Sequence, residues 1–445
     1  MLFRHAAAGL SLAVLAVFAV PVAGHAAAPP AETPCPKELA GAITCYTGAD
    51  DRGAHYWIAR PLSWNGTLIV HAHGGPRLGA PNQNSEKADL ERFAVTVQEG
   101  YAWIASSYRR GGYGVRMAAE DSEAARKIFI ASFGQPRHTI VHGQSWGGNV
   151  GAKLIELYAV APDGHRNYDG ALLTSGMLAG GTDAYDFRAD LRAVYQYYCH
   201  NHPKPDEEQY PLWSGLAADS KMTRDELAAR MKDCTGVGLP KDQRSAAQQQ
   251  NLDNILNVIR IPERTLVSHM AWATFLFRDL VQKRLDGRNP FTNEGVHYTG
   301  STDDAALNAG VVRFRADLKA VAMLADDSDM TGQIAIPVVT MHAIDDPTAM
   351  VEQEAHYRAV VEKAGHGDLL VQTFTDEHVH SKLHDAEYPA MLNALMQWIT
   401  AGKKPTPAGI AASCAQYQAV YGGLCAFRPD YHPAAFSTRV YPRRP

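Results

Sequence analysis

The sequence predicts an α/β fold with a mostly parallel central sheet, helices on both of its faces and one large helical insertion. Short apolar strands alternate with amphipathic helices over residues 55–175 and again over residues 336–400. Such alternation indicates a parallel sheet, because parallel neighbours need a long crossover that is usually a helix. Between the two stretches, from residue 176 to residue 330, only helical patterns occur.

These patterns divide the chain into five segments. We expect a signal peptide (residues 1–28), a first part of the core (29–175), a helical lid or cap (176–330), a second part of the core (331–402) and a Pro-rich tail (403–445). A length of 445 residues is sufficient for one α/β core that carries a large insertion. The net charge of −5 gives no basic surface for nucleic acid, so we expect no nucleic-acid partner.

The first residues have the composition of a secretory signal. Arg4 and His5 precede an apolar run over residues 10–22, and small residues follow from Ala23 to Ala28. Cleavage after Ala26 or Ala28 fits this pattern. The run is short for a membrane span, so we favour a cleaved signal over an anchor. We therefore expect a secreted or periplasmic protein with no stable membrane insertion after cleavage.

Six cysteines follow the signal, and an even number in an oxidising compartment predicts disulfides. Of the 15 possible connectivities, pairing of sequence neighbours is the simplest. It joins Cys35 to Cys45, Cys199 to Cys234, and Cys414 to Cys425. No pair has C-x-x-C spacing, which disfavours a zinc or thioredoxin-like site.

The first part of the core begins with a lead-in over residues 29–53. We predict strands over residues 55–60, 67–72, 102–108, 138–141 and 170–175, and helices over residues 87–98, 117–133 and 149–157. Asn65 and Gly66 form a dipeptide typical of a hairpin turn.

The stretch from His142 to Gly148 contains the strongest chemical signal. Its G-x-S-x-G pattern places Ser145 between Gly143 and Gly147, at the junction of a predicted strand and a predicted helix. That context indicates a nucleophile elbow, a tight turn that exposes a serine. Side chains at the two glycines would collide with the neighbouring strand and helix. The helix that follows directs backbone N–H groups towards the serine, where they favour a developing oxyanion.

The insertion is predicted to be helical and rich in aromatic residues. We predict helices over residues 224–232, 248–259, 270–285 and 305–321, the first opened by a capping box from Thr223 to Glu226. Tyr197, Tyr198 and Trp213 belong to aromatic clusters there, which form either the core of the lid or a wall for the substrate. We include these three as candidate substrate-binding residues.

In the second part of the core a carboxylate follows one predicted strand (residues 336–341) and a histidine follows the next (369–374). Helices are predicted over residues 351–364 and 388–400. A serine hydroxyl needs an adjacent base, and a carboxylate orients and stabilises that base. Asp345 and Asp346 are both candidates, and we favour Asp346 because Asp before Pro makes a rigid turn. Among the histidines, His384 lies too far into the next helix. Of the remaining two, we favour His380 over His378.

The oxyanion hole needs two backbone donors. Trp146, directly after Ser145, supplies one, and the HGGP stretch at residues 73–76 supplies the other, most simply through Gly75. Gly74 lets the backbone approach the substrate closely, so we include it as a substrate-binding residue. His71 and His73 are one residue apart, but without a nearby cluster of acids or cysteines we interpret them as structural. We expect no metal and no cofactor.

A family resemblance rests on four motifs in chain order. They are HGGP at residues 73–76, YRRGGYG at 108–114, GQSWGG at 143–148 and HAIDDP at 342–347. Together they resemble the α/β-hydrolase superfamily, in particular its prolyl-oligopeptidase-related and lidded serine esterase branch. The resemblance implies an α/β-hydrolase fold with Ser145 as nucleophile, Asp346 as acid and His380 as base. It implies Gly75 and Trp146 as oxyanion donors. Val379 stands where the family usually has Gly.

Three functions are compatible with these residues. The leading hypothesis is an exported serine hydrolase that cleaves small-molecule carboxylic esters through an acyl-enzyme. The second is a peptidase of the prolyl-oligopeptidase or prolyl-iminopeptidase type, in which Asp206, Glu207 and Glu208 would hold a substrate ammonium; we favour a solvated charge run for them. The third is a non-catalytic binding module, because fold does not fix function. The sequence leaves the acyl and alcohol groups, the ester or amide preference and the oligomeric state open.

Overall fold

The computed structural model describes residues 29–82 and 84–443 of the chain. The predicted signal peptide, residues 1–28, lies outside them. One nine-stranded sheet forms the centre, in the order β1-β2-β3-β5-β4-β6-β7-β8-β9. The strands are β1 (Ala31–Thr33), β2 (Ile43–Ala49), β3 (His55–Pro61), β4 (Thr67–Ala72), β5 (Ala102–Ser106), β6 (His138–Gln144), β7 (Gly170–Thr174), β8 (Val338–Ala343) and β9 (Leu370–Thr375).

The sheet is parallel from β5 through β9 and antiparallel at its first edge. β1, β2, β3 and β5 pair antiparallel in turn, and the remaining neighbours pair in parallel. The prediction of a mostly parallel α/β fold is confirmed. Adjacent residues of one strand, such as Ile69 and Val70, belong to different apolar clusters, so helices bury both faces of the sheet.

Two predictions about the first segment are wrong. Residues 29–53 are more than a lead-in, because they contain β1 and β2 and extend the sheet. Asn65 and Gly66 do not close a hairpin, because β5 lies between β3 and β4 in the sheet. The Asn65 side chain instead accepts the N–H of Thr67 at 2.9 Å, in a turn that moves the chain past a neighbouring strand.

The helices of the two core parts cover the sheet. Residues 87–98 were predicted as one helix but form two, with a break at residues 93–94. The helices of the two core parts are α1 (Ser85–Arg92), α2 (Val95–Gln98), α3 (Val115–Phe133), α4 (Trp146–Tyr158), α13 (Glu352–Lys363) and α14 (Glu387–Ala401). The insertion supplies α5 to α12.

The insertion is helical and contains elements that periodicity did not predict. The missed helices are α5 (Gly180–Asp183) and α6 (Asp186–Cys199). The predicted ones are α7 (Arg224–Thr235), α8 (Ala246–Ile259), α9 (Leu266–Ala271) and α10 (Phe277–Asp279), with π-helical segments Trp272–Leu276 and Leu280–Arg284. The stretch 305–321 was expected as one helix and is two, α11 (Asp304–Gly310) and α12 (Leu318–Ser328). The capping box at Thr223 is present.

The Pro-rich tail is ordered and reaches the insertion. Its helix α15 (Pro407–Tyr421) packs on α14. Further on, Arg443 is buried and forms ion pairs with Asp186 at 3.1 Å and Asp190 at 2.6 Å, both on α6. These pairs tie the end of the chain to the insertion.

The six cysteines form three disulfides between sequence neighbours. The pairs are Cys35–Cys45, Cys199–Cys234 and Cys414–Cys425. Within the described residues, no helix has both the length and the apolar character needed to cross a bilayer.

Candidate active site

Ser145 occupies a strained turn between β6 and α4. Its φ of 59° and ψ of −125° lie outside the regions that a non-glycine residue ordinarily adopts. The backbone holds it there through a hydrogen bond from Ser145 N–H to the carbonyl of Thr174 at 3.0 Å. The side chain therefore projects from the carboxyl edge of the sheet, at the first turn of α4.

The glycines around Ser145 are required by close backbone packing, as predicted. A Cβ at Gly143 would lie 2.3 Å from the carbonyl oxygen of Gly147, and a Cβ at Gly147 would lie 2.0 Å from that of Ala72 on β4. Both distances are far below van der Waals contact. Only glycine at these positions lets β4, β6 and α4 approach closely enough to form the turn.

The turn after β9 brings His380 to Ser145. The His380 Nε2 lies 2.7 Å from Ser145 Oγ. On its other side, His380 Nδ1 lies 2.8 Å and 3.0 Å from the two carboxylate oxygens of Asp346. The three side chains come from turns after β6, β8 and β9, whose carboxyl ends share one edge of the sheet.

Asp346 is fully buried and held by two backbone donors. The N–H groups of Thr348 and Ala349 donate to its Oδ1 at 2.8 and 2.9 Å. This leaves Oδ2 directed at His380, which fixes the imidazole with its proton on Nδ1 and its Nε2 free to accept from Ser145.

The alternative acid and base form a separate surface pair. The Nδ1 of His378 lies 2.8 Å from Asp345 Oδ2, and Arg264 contacts the same carboxylate oxygen at 3.0 Å. These side chains are about half or more exposed, and no hydrogen bond joins the pair to Ser145. His384 lies 3.5 Å from Glu377.

The two predicted oxyanion donors lie at the same edge. Trp146 is the first residue of α4, so its N–H has no partner within the helix. Gly75 has a φ of 67°, a conformation that favours glycine. Gly74 packs directly on the serine turn, since a Cβ there would lie 2.6 Å from Gln144 Oε1 and 3.1 Å from Ser145 Cβ.

A cavity of about 340 Å³ opens over Ser145. Its aromatic walls are Trp146, Tyr185 and Trp272, the last two stacked with ring centres 4.2 Å apart. Trp272 begins a π-helical segment, a distortion that is frequent at functional sites. The polar lining includes Arg77, Asp89, Arg92, Gln144, Arg188, Thr348 and Ser381.

Three candidate substrate residues lie elsewhere. Tyr197 and Tyr198 are at the far end of α6, about 18 Å along the helix axis from Tyr185, which directly precedes the helix, given a rise of about 1.5 Å per residue. Tyr197 packs near Gly310 of α11 instead. Trp213 packs against the apolar core of the insertion. None of the three lines the cavity beside Ser145, so the structure does not bring these aromatics together with the serine, and their role in substrate binding stays a prediction.

Sequence reasoning missed the residues that replace them. Arg188 belongs to α6, a helix that apolar periodicity did not predict, and Tyr185 directly precedes that helix. Trp272 lies within the helix predicted over residues 270–285, but nothing in the sequence marked its side chain as part of the cavity wall. Arg77 directly follows the HGGP motif, and that position is the signal that could have marked Arg77 as a cavity residue.

A buried charge network lies next to the cavity. Arg77 contacts Asp89 at 3.3 Å and Glu86 at 3.6 Å. Burial raises the pKa of Glu86 to about 7. Burial opposes ionisation of Asp89 as well, but the adjacent His71, His73 and Arg77 hold its pKa below the ordinary value. The positive charge of Arg77 is therefore balanced within the protein.

The strand-end histidines pack inside the core. His71 Nδ1 lies 3.0 Å from His142 Nδ1, and His73 stacks on Tyr108 with ring centres 4.1 Å apart. Burial, with the charge of Arg77, lowers the pKa of His73 to about 3. Residues 29–82 and 84–443 contain no cluster of three acids, histidines or cysteines that would hold a metal ion.

Two glutamates face each other behind the His380 turn. Glu377 and Glu387 are both buried, and Glu387 Oε1 accepts the N–H of Ala426 at 2.8 Å. Burial and the neighbouring Glu377 raise the pKa of Glu387 to about 9. Glu387 thus retains a proton at neutral pH, which lets the two buried carboxyl groups approach each other.

Three features together identify the fold. They are the strand order, the strained Ser145 between β6 and α4, and the placement of Asp346 and His380 after β8 and β9. It is the α/β-hydrolase fold. Its sheet has an antiparallel first edge, and the helical insertion lies between β7 and β8.

Comparison with known proteins gives structural likeness without sequence likeness. No protein-family model and no curated protein matches the sequence. An esterase from Aspergillus oryzae shares 13% identity at a TM-score of 0.45, over 82% of this chain and 81% of that chain. Lipase A from Candida antarctica shares 11% identity at a TM-score of 0.43, over 86% and 84%. Tannin acyl hydrolase from Aspergillus niger shares 10% identity at a TM-score of 0.39, over 82% and 79%.

Proposed function

We propose that the protein is an exported serine hydrolase that cleaves small-molecule carboxylic esters. The observation that carries the proposal is the hydrogen-bonded chain from Ser145 through His380 to Asp346, in which Ser145 and His380 line a cavity. A serine alone is a weak nucleophile, and this chain supplies the base and the group that orients the base.

In the first half of the reaction Ser145 Oγ attacks the acyl carbon while its proton moves to His380 Nε2. The carbonyl oxygen becomes an oxyanion, for which the N–H groups of Gly75 and Trp146 are the candidate donors. Asp346 stabilises the imidazolium. Collapse of the tetrahedral intermediate breaks the bond to the alcohol, which leaves with the proton from His380, and an acyl-Ser145 ester remains.

In the second half water replaces the alcohol. His380 takes a proton from the water as it attacks the acyl carbon. When the second tetrahedral intermediate collapses, His380 returns that proton to the departing Ser145 Oγ. The carboxylic acid leaves and the enzyme is restored. Each step uses groups of this chain and one water molecule.

The cavity favours an ester over an aminopeptidase substrate. Holding a free ammonium requires an unpaired acid, and the carboxylate among the described lining residues, Asp89, is paired with Arg77. Glu207 pairs with Arg230 in a separate depression, which agrees with a structural role for the run from Asp206 to Glu208. The intact Ser145, His380 and Asp346 chain disfavours a non-catalytic module.

Three disulfides support export, because such bonds persist in oxidising compartments. They agree with the predicted signal peptide at residues 1–28. Secretion or a periplasmic location follows as part of the same proposal.

The experiment compares 4-nitrophenyl hexanoate with aminoacyl 4-nitroanilides, on the wild type and on Ser145→Ala. We expect ester turnover that falls by at least about 10⁴-fold in the variant, with little anilide turnover. Ser132→Ala, which alters an exposed serine on α3, is the matched control and should retain full activity. Ester turnover that survives in Ser145→Ala would refute the proposal, and serine-dependent anilide turnover that equals the ester rate would move it to the peptidases.

A further inference from the structure

Arg188 is a buried cation on the wall of the cavity that contains Ser145. It lies in the first turn of α6, is 1% exposed, and contributes to the cavity lining. A guanidinium carries five N–H donors and is protonated at neutral pH. Burial of such a group is strongly unfavourable unless its charge and its donors are matched.

The donors of Arg188 are largely unmatched. One Nη2 hydrogen bond reaches Nδ1 of His269 at 3.3 Å. The Nε and Nη1 atoms have no partner among the described residues, and no acid in that part of the chain forms an ion pair with Arg188. The arginine is thus buried with one donor used and no counter-charge.

His269 is a neutral acceptor for Arg188. Its Nε2 donates to the carbonyl of Pro347 at 3.2 Å, which leaves Nδ1 as the acceptor. Burial and the nearby charge of Arg188 hold the pKa of His269 well below its ordinary value. His269 therefore orients the guanidinium without neutralising it.

Aromatic rings hold the cation in place. Its Cζ lies 4.6 Å from the ring centre of Trp272, 4.7 Å from Phe187 and 5.3 Å from Tyr185. Rings attract a cation through their π faces, but they accept none of its in-plane hydrogen bonds. The three rings therefore stabilise the guanidinium of Arg188 but leave its Nε and Nη1 donors without a hydrogen-bond partner in the described part of the chain.

Three other arginines with buried side chains are paired with acids. Arg126 pairs with Glu123 at 2.8 Å, Arg443 pairs with Asp190 at 2.6 Å, and Arg244 pairs with Glu263. Arg192, one turn beyond Arg188, also has no acid, but it donates to the carbonyl of Gly215 at 3.3 Å and does not line the cavity. Arg188 differs from all of these because it lines the cavity that contains Ser145.

We propose that Arg188 binds a carboxylate of the substrate, so that the natural esters carry a second, ionised carboxyl group. The inference rests on the proposed ester hydrolysis and specifies its substrate class. Carboxylate is the acceptor that a guanidinium matches best in geometry and charge. Because Ser145, His380 and Arg188 line one cavity of about 340 Å³, the second carboxylate belongs to a small molecule and lies within a few bonds of the scissile ester.

The kinetic test uses two pairs of esters that differ in charge and little in size. With the carboxylate on the acyl side, the pair is 4-nitrophenyl hydrogen adipate and 4-nitrophenyl hexanoate. With it on the alcohol side, the pair is 3-acetoxybenzoate and its methyl ester. We expect the charged member of at least one pair to have the higher kcat/KM, by at least about tenfold. Rates with Ser145→Ala are subtracted as background.

Arg188→Met tests whether that preference depends on the guanidinium. The readout is the ratio of kcat/KM for the charged ester to that for the neutral ester, in which losses of folded protein cancel. The ratio should fall by at least about tenfold in Arg188→Met and stay unchanged in Arg192→Met, the matched control. No preference for either charged ester, or a preference that survives in Arg188→Met, would overturn the inference.

A binding measurement separates this inference from the proposed function. In Ser145→Ala, adipate or 3-hydroxybenzoate should raise the melting temperature, since a ligand of the folded state stabilises it. The shift should vanish when Arg188→Met is added. If the wild type does not hydrolyse the neutral ester, the proposed function alone is contradicted. If neither carboxylate raises the melting temperature of Ser145→Ala, the role of Arg188 is contradicted.

Discussion

Asp346→Asn is the substitution whose effect the structure determines most fully. Asp346 Oδ1 accepts two backbone N–H groups, from Thr348 and Ala349, while Oδ2 faces His380. In the variant the amide oxygen takes the place of Oδ1. The opposite orientation would leave two buried N–H donors facing an NH₂ group, at a cost of about 1–3 kcal/mol for each unmatched donor.

The amide NH₂ group therefore faces His380 Nδ1, which must become an acceptor. The imidazole proton then sits on Nε2 and points at Ser145 Oγ, so His380 cannot take the serine proton. The imidazolium also loses its stabilising charge. We expect kcat to fall by about 10⁴-fold, the size of effect produced by the wrong histidine tautomer in serine hydrolases, which corresponds to about 5.5 kcal/mol in the barrier.

Stability should change little, because both backbone donors stay satisfied. We expect the free energy of unfolding to stay within about 1 kcal/mol of the wild type. The assay is kcat on 4-nitrophenyl hexanoate together with urea denaturation. Asp345→Asn is the matched control, since Asp345 pairs with His378 and Arg264 on the surface, and its kcat should stay within about twofold. A loss below tenfold in Asp346→Asn, or an equal loss in Asp345→Asn, would refute the reasoning.

Two further substitutions test the surroundings of the site. Gly147→Ala places a Cβ 2.0 Å from a buried backbone carbonyl, so urea denaturation should show a loss of about 3 kcal/mol or more, and an unchanged midpoint would contradict the packing argument. Glu387→Gln keeps the acceptor for Ala426. Because folding raises the pKa of Glu387 to about 9, the folded state binds the extra proton, and the contribution of Glu387 to wild-type stability declines as pH rises from about 4.5 towards 9. The variant should lose less stability over that window, and parallel pH profiles of the unfolding midpoint would contradict this.

The features that the sequence predicted best are those that depend on local geometry. A serine between two glycines, at a change from an apolar strand to a helix, has few structural solutions, and the turn at Ser145 is one of them. The placement of Asp346 and His380 follows in the same way, because parallel strands deliver the residues after them to one edge. The choice between Asp345 and Asp346 needed the structure, since adjacent residues differ only in the direction of their side chains.

The helix α6 shows why other features could not be predicted. Its first half carries Asp186, Arg188, Asp190 and Arg192, a pattern typical of a solvated surface. All four are buried, because Arg443 at the end of the chain pairs with both acids and aromatic rings surround Arg188. Arg443 is more than 250 positions away from Asp186 and Asp190 in sequence, so local periodicity cannot reveal that it pairs with them.

The early strands and the aromatic wall were missed for related reasons. β1 and β2 pair antiparallel at an edge of the sheet. β1 has only three residues and is flanked by prolines, so this stretch resembles a loop in composition. Aromatic clusters in the sequence drew attention to Tyr197 and Trp213, whereas the cavity is lined by Tyr185 and Trp272, single aromatics brought together by the packing of two helical segments.

The most direct test of the central claim is labelling of the purified protein with a fluorophosphonate, followed by peptide mass spectrometry. An activated serine forms a covalent phosphonate ester, whereas an ordinary surface serine does not react. The account predicts one modified residue, Ser145, and loss of the label in His380→Ala as well as in Ser145→Ala. Absence of labelling in the wild type, or labelling that persists without His380, would contradict a serine nucleophile activated by His380 and Asp346.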